Sequence, residues 1–222
     1  EHHSEEYFAS HKGVDADTVD MQTGEFEGST AWSDLLNYAR SHDLSQPEAW
    51  AYMQEHLDVP EMIDWLILEC WSGDIDVYEN VRFYASPEYE NGKYIYGLAD
   101  MDLTMINTNT YLVGFDNYLL HGIIPSALLY NAEFKDMFLT RLGEMLRGPL
   151  SDENAQETIN ALRAIVEPES ARDLARWGQS PNLFTAQMAN IQNFISGRAE
   201  RMKNDAISLF HLSAEEAAKY FG

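Results

Sequence analysis

After residue 28, apolar residues recur at helical spacing along most of the chain. Trp32, Leu35, Leu36 and Ala39 share one face, and Ile63, Leu66, Ile67 and Cys70 repeat at i, i+3, i+4 and i+7, the stripe of a helix packed on a core. Ser45-Gln-Pro-Glu48 and Asp58-Val-Pro-Glu61 have the form of capping boxes with proline in the first turn, so each predicts a helix start. Further stripes follow at Phe134, Phe138, Leu142 and Met145; at Ile159, Leu162 and Val166 behind a Ser151 cap; and at Phe184, Met188, Ile191 and Ile195 on a helix predicted to reach Phe210. Ser213-Ala-Glu-Glu216 predicts a short terminal helix, and all of these stripes read as core.

The period changes only once. Val81-Arg-Phe-Tyr84 and Tyr94-Ile-Tyr-Gly-Leu98 are β-branched and aromatic and flank a segment with Pro87 and Asn91-Gly92, which predicts a hairpin with a loop longer than the tightest turn. Residues 1–28 are polar and acidic, with Tyr7, Phe8, Val14, Val19 and Phe26 as scattered anchors, and read as an irregular entry segment. An irregular polar stretch over Met105 to Asn117 precedes an apolar segment around Tyr118 to Tyr130. The expected fold is therefore α+β: one domain over 1–222, predominantly helical, with one small β-hairpin.

Composition narrows the function classes. The chain has 222 residues, 45% of them hydrophobic, enough for a sizeable core. Lys+Arg 14 against Asp+Glu 37 gives a formal charge of -23, which repels nucleic acid and anionic lipid, so neither is an expected partner. Cys70 is the single cysteine, which excludes an internal disulfide and a CxxC metal site; on its stripe it reads as a small buried hydrophobe. His2-His3 without a third ligand makes a poor metal site. No run has the roughly 18 to 20 apolar residues of a membrane span. The chain starts at Glu1 without an initiator Met or a signal-type apolar region, as expected of a mature portion or an excised fragment.

Candidate chemistry lies at the hairpin. Asp74-Ile-Asp76 and Asn80 stand just before its first strand, and Asp100-Met-Asp102 just after its second. Antiparallel strands of similar length return the chain to its starting edge, so these groups should meet at one end. Turns favour Asp for its own hydrogen bonds, but two such pairs at one end, with a neutral amide oxygen beside them, also suit a hard divalent cation such as Mg²⁺ or Mn²⁺. An acid, an amide a few residues on, two strands and a second acid is also the order in which phosphoryl-transfer enzymes of the protein-kinase type place their groups. No Gly-x-Ser-x-Gly elbow supports a serine hydrolase, and no alternation of strands and helices accompanies the Asp-x-Asp pair as a metal-dependent glycosyltransferase would require. A two-carboxylate glycosidase remains compatible, because its carboxylate separation is not readable from sequence.

From about Tyr7 to the C-terminus the chain resembles the CotH family of atypical, secretory-type kinases that includes the spore-coat protein kinase. The resemblance rests on Ile63-Asp-Trp-Leu66, Gly73 to Tyr84 and Tyr94 to Leu103, then on Asn131 to Arg141, Glu167-Pro-Glu169 to Trp177 and Ile195-Ser-Gly-Arg198. It implies a kinase-like C-terminal lobe in which Asp76 orients or deprotonates the acceptor hydroxyl, Asn80 and Asp100 hold metal, and Asp102 is the second acid of the motif. The chain departs from the pattern at Asp74, where the family usually has Asn, and at Ala99, where it often has an aromatic. The implied reaction moves the γ-phosphoryl of ATP to Ser or Thr of a protein substrate with Mg²⁺ or Mn²⁺, in a spore-coat or secreted setting. The sequence has no GxGxxG or GxxxxGK[ST] loop, so the expectation includes a phosphate-gripping lobe outside this chain and a piece inactive alone. The alternative is a non-catalytic surface or assembly module that binds a protein or glycan.

Overall fold

The structure, a computed structural model, describes residues 3–24, 28–106 and 122–222, with Tyr78 and Glu79 described through their backbone alone. It is a predominantly helical α+β fold with a small antiparallel sheet. Two helices lead into the sheet region, α1 (Glu5–Lys12) and α2 (Thr30–Ser41), followed by α3 (Pro47–His56), α4 (Val59–Ser72) and the single turn α5 (Val77–Asn80). The sheet consists of β1 (Asp20–Thr23), β2 (Arg82–Ala85) and β3 (Ile95–Gly97) in the order β1-β2-β3. The remaining α-helices among the described residues are α6 (Ile123–Leu128), α7 (Ala132–Arg147), α8 (Asp152–Arg176), α9 (Leu183–Ile195), α10 (Arg198–Leu209) and α11 (Ala214–Phe221).

The sheet has a helix on each face because its side chains alternate. Phe83 and Tyr96 are register partners and point to the main core, where Trp32 stacks on Phe83 at 4.1 Å between ring centroids. Tyr84 and Ile95 are the next pair and point the other way, onto Phe8 of α1, with the Phe8 and Tyr84 rings stacked at 5.2 Å. This second face corrects the expectation of an irregular entry segment. Residues 5–12 form a helix, opened by Ser4 and closed by Gly13 at φ 73, and residues 20–23 add a third strand to the hairpin. Phe8, Val14, Val19 and Met21 are spaced for that face of the sheet, not for a helical stripe of their own. Phe26 and most of the Met105 to Asn117 stretch lie outside the described residues.

Several local signals hold. Asp58 accepts the Glu61 N–H at 3.1 Å and opens α4, Ser151 accepts from Asn154 at 3.2 Å, and Ser213 with Glu216 forms a reciprocal capping box. Cys70 is fully buried. Other signals are redirected. Ser45 gives its hydroxyl to Asp43 at 2.6 Å instead of capping, and Gln46 stands at the start of α3 without a side-chain cap. The predicted helix from Phe184 to Phe210 is divided at Gly197, whose φ of 73 ends one helix and starts the next. Asp152 takes the N–H groups of Gly197 and Ala199, so a carboxylate from α8 caps the new helix. The expected core stripe on α8 does not hold along its length: Ile159 packs on the core, but Leu162 and Val166 are half exposed. A 25-residue helix is about 37 Å long, and the distal part of α8 pairs with α9 and not with the central core.

Candidate active site

The site is built on the C-terminal end of α4. That helix ends at Gly73 in the left-handed conformation, φ 69, with its N–H returned to the Glu69 carbonyl at 2.9 Å. A helix end leaves four carbonyls without partners inside the helix, and here each has one. Glu69 is met by Gly73; Cys70 and Trp71 receive the Arg198 guanidinium, the Trp71 contact at 2.9 Å; and Ser72 receives the Met105 N–H at 2.9 Å. Arg198 is 1% exposed and comes from α10, with its charge over the Phe194 ring at 4.8 Å. The chain entering the hairpin and the chain leaving it are thus both tied to one helix end.

Between those ties stand the predicted groups. Asp76 precedes α5, half-buried, and one of its oxygens, Oδ2, accepts from Asn80 Nδ2 at 2.8 Å. The pairing follows from four-residue spacing across one helical turn. The Asp76 backbone N–H is directed to Asp74 Oδ1 at 3.4 Å, and Asp76 Oδ1 is shielded from solvent with no hydrogen-bond partner. Across the hairpin, Arg82 is opposite Gly97, so the residues just outside the strands, Asn80 on one side and Ala99-Asp100 on the other, stand at the same end. Asp100 has φ 52 and ψ 56, a left-handed conformation that Asp tolerates better than most residues, and it opens the short turn Met101–Leu103. The Asp100 and Asp102 side chains are exposed. Asp76 and Asn80 are therefore in direct contact, while Asp100 and Asp102 share their end of the hairpin without being buried in it.

The electrostatics are dominated by carboxyl groups. Asp74 and Glu69 are each 1% exposed. Burial, then the nearby Asp74 charge, pushes the Glu69 carboxyl up to about 9, and burial with the Asp76 carboxyl pushes Asp74 up to about 6. Glu69 is a residue that pattern reading missed. The available signal was a single acid within Trp65 to Trp71, one residue before Cys70 of the buried stripe.

An acid whose pKa is raised on folding keeps its proton in the native state after the unfolded chain has lost it. Between about 4.5 and about 9 the native state therefore binds one more proton at Glu69, and stability falls as pH rises. The expected slope is about 1.4 kcal/mol per pH unit for one proton, with Asp74 adding the same sign in the lower part of the window, up to about 6. Urea denaturation at stepped pH checks this; stability that rises steadily from pH 5 to 8 contradicts it.

A family model described as CotH kinase protein matches residues 1–202. The chain belongs to the CotH kinase family. A comparison with curated proteins gave no significant match. The family is kinase-like, and ATP and a divalent metal are its general expectation. Among the described residues no group of three His, Cys, Asp or Glu side chains is arranged to hold a metal ion unaided. The available donors are oxygens, the exposed Asp100 and Asp102 carboxylates and the Asn80 amide. Such a set fits a hard cation that takes its remaining ligands from phosphate and water. No helix among the described residues is long and apolar enough to cross a membrane.

Proposed function

We propose that this CotH-family chain supplies the acceptor-orienting and metal-holding half of a protein kinase that transfers the γ-phosphoryl of ATP to Ser or Thr. The observation that supports the reading most is the fixed orientation of Asp76: its Oδ2 is held by Asn80 Nδ2 at 2.8 Å, at the end of the hairpin where Asp100 stands. A carboxylate held in one orientation by an amide is suited to direct and accept the hydroxyl proton of an incoming Ser or Thr. Asn80 and Asp100 would hold Mg²⁺ or Mn²⁺, with Asp102 bracing or joining them. When bound, the cation neutralises charge on the transferring phosphoryl group.

The protein residues then work by position. Gly73 and the tied carbonyls of α4 fix the start of the Asp76 loop, and the Met105 tie fixes the far end of the Asp100 turn. The sequence has no Gly-rich phosphate loop, and Lys12 is engaged with Glu61 at 2.8 Å and with Tyr89. The reading therefore assigns phosphate gripping to a part of the protein beyond these residues, and this chain alone is expected to be inactive. A spore-coat or secreted setting belongs to the same proposal.

Asp100→Ala tests the metal assignment. In the intact protein it is expected to raise the Mn²⁺ concentration needed for half-maximal transfer by at least about 10- to 100-fold, the range seen when even outer partners of a metal site are lost. An unchanged Mn²⁺ requirement would remove Asp100 from the metal site.

A further inference from the structure

A cavity of about 470 Å³ lies between α1 and α4, with β3 and the following Leu98 along its floor. None of Asp76, Asn80, Asp100 and Asp102 lines it. Its walls carry five aromatic rings: Tyr7 and Phe8 from α1, Trp65 from α4, and Tyr84 and Tyr96 from the sheet. Side chains in a closed core interdigitate and leave few voids larger than a water molecule. Here α1 meets the sheet through the small cluster of Phe8, Tyr84 and Ile95, set apart from the main core, and the space between that cluster and α4 stays open.

Packing alone does not account for two features of the lining. Tyr84 is 1% exposed, and its hydroxyl has no hydrogen-bond partner among the described residues. Leaving a buried donor unsatisfied is costly, and a phenylalanine would stack on Phe8 without that cost. Burial pushes the hydroxyl up to about 12, so it keeps its proton and can donate or accept. Gly97 of β3 lacks the left-handed backbone that calls for glycine, yet a Cβ there would stand 2.8 Å from the Tyr84 ring. Glycine thus lets that ring lie across the strand and keeps the floor free of a side chain. Inside a strand, it often marks the close approach of a ligand.

The charges on the walls are already paired. Lys12 is bonded to Glu61 at 2.8 Å, and Asp64 receives Arg141 through two bonds at 2.6 and 2.7 Å. A charged ligand would have to disturb one of these pairs, whereas a neutral one would not. Aromatic walls favour a planar ring, and the Tyr84 hydroxyl calls for one hydrogen-bonding group at the buried end. The volume lies within the range of small-molecule sites, about 300 to 1,000 Å³, and exceeds what one side chain of a partner would fill. We propose that this cavity binds a neutral, planar small molecule of one or two fused rings, with a polar group that hydrogen-bonds the Tyr84 hydroxyl. The site stands apart from the phosphoryl-transfer reading and does not depend on it.

The test is a titration of this chain, labelled with ¹⁵N, with 2-naphthol, a neutral phenol of two fused rings. Saturable amide shifts confined to α1, Trp65, Leu68 and Ile95 to Leu98 are expected, with a dissociation constant of about 1 mM or tighter. Tyr84→Phe keeps the ring and should fold at least as stably as the wild type, while binding 2-naphthol about 2- to 10-fold more weakly, the loss of one neutral hydrogen bond. Leu68→Trp fills the cavity from α4 and should abolish binding. Naphthalene-2-sulfonate has the same rings with a negative charge and is expected to bind at least about 10-fold more weakly than 2-naphthol, the charge having no free partner on the walls. Scattered shifts that do not saturate, undiminished affinity in Tyr84→Phe, or equal binding of the sulfonate overturns the proposal. If Leu68→Trp does not fold, Tyr84→Phe and the sulfonate comparison still decide it. Tighter binding of N-acetyltyrosinamide than of 2-naphthol would assign the cavity to an aromatic side chain of a protein partner and overturn the small-molecule assignment. Displacement of 2-naphthol by ATP would make the cavity part of the phosphoryl-transfer site and overturn its separateness.

Discussion

Replacement of Asp76 by alanine is expected to reduce phosphoryl transfer by about 10² to 10⁴-fold, the range associated with loss of a positioned general base. The fold should survive. Asp76 is half-buried, lies in a loop and is absent from the hydrophobic core. Alanine deprives the Asn80 amide of its acceptor at 2.8 Å, whereas the tie to Asp74 runs through the backbone N–H and is retained. The loss should fall on kcat with KM for ATP little changed, because the side chain acts on the acceptor in the transition state and not on nucleotide binding. Asp76→Asn should be almost as damaging, since an amide keeps the shape but cannot take the proton. Initial rates with circular-dichroism melts on the same samples check both halves; a variant that unfolds would instead mark Asp76 as structural.

Removal of Arg198 is expected to cost about 2 to 4 kcal/mol of stability, through the Trp71 carbonyl left without a donor at about 1 to 3 kcal/mol, a Cys70 carbonyl left with the Gly73 N–H alone, and lost packing on Phe194. Its guanidinium bridges the Cys70 and Trp71 carbonyls from a position 1% exposed and packs on Phe194. A leucine fills part of the volume and supplies no donor. A lysine keeps the charge but lacks the planar fork that serves two acceptors, so Arg198→Lys should recover only part of the loss. Urea midpoints for the Leu and Lys variants measure this. Wild-type stability in Arg198→Leu would show that the α4 terminus does not depend on α10, and that the site is anchored by Gly73 and Met105 alone.

Local physics made much of the fold legible. The α4 stripe, the Asp58 and Ser151 caps and the Ser213 box each depend on residues within one or two turns, and each is found. The Asp76 and Asn80 contact depends on one helical turn, Val77–Asn80, that the pattern did not announce; only their shared end of the hairpin was expected. What escaped needs a distant partner. Phe8 and Val19 acquire meaning only once Tyr84 and Ile95 present a second face of the sheet. Leu162 and Val166 have the spacing of a core stripe, but spacing does not say how far the core extends along a 25-residue helix. Arg198 stood in a matched motif without a role, because its acceptors are more than 120 residues away in sequence. Glu69 was concealed by its surroundings, an acid among apolar residues whose neighbour Asp74 lies beyond the turn that ends the helix.

Whether Asp76 and Asp100 serve one reacting centre is tested most directly by a double-mutant cycle on γ-phosphoryl transfer in the intact protein. Residues that act as a unit are strongly non-additive. Asp76→Ala, Asp100→Ala and the double variant are therefore expected to fall to nearly the same low rate, all three remaining folded. Wild-type transfer in either single variant, or losses that multiply in the double, would contradict a single phosphoryl-transfer site at the end of the hairpin.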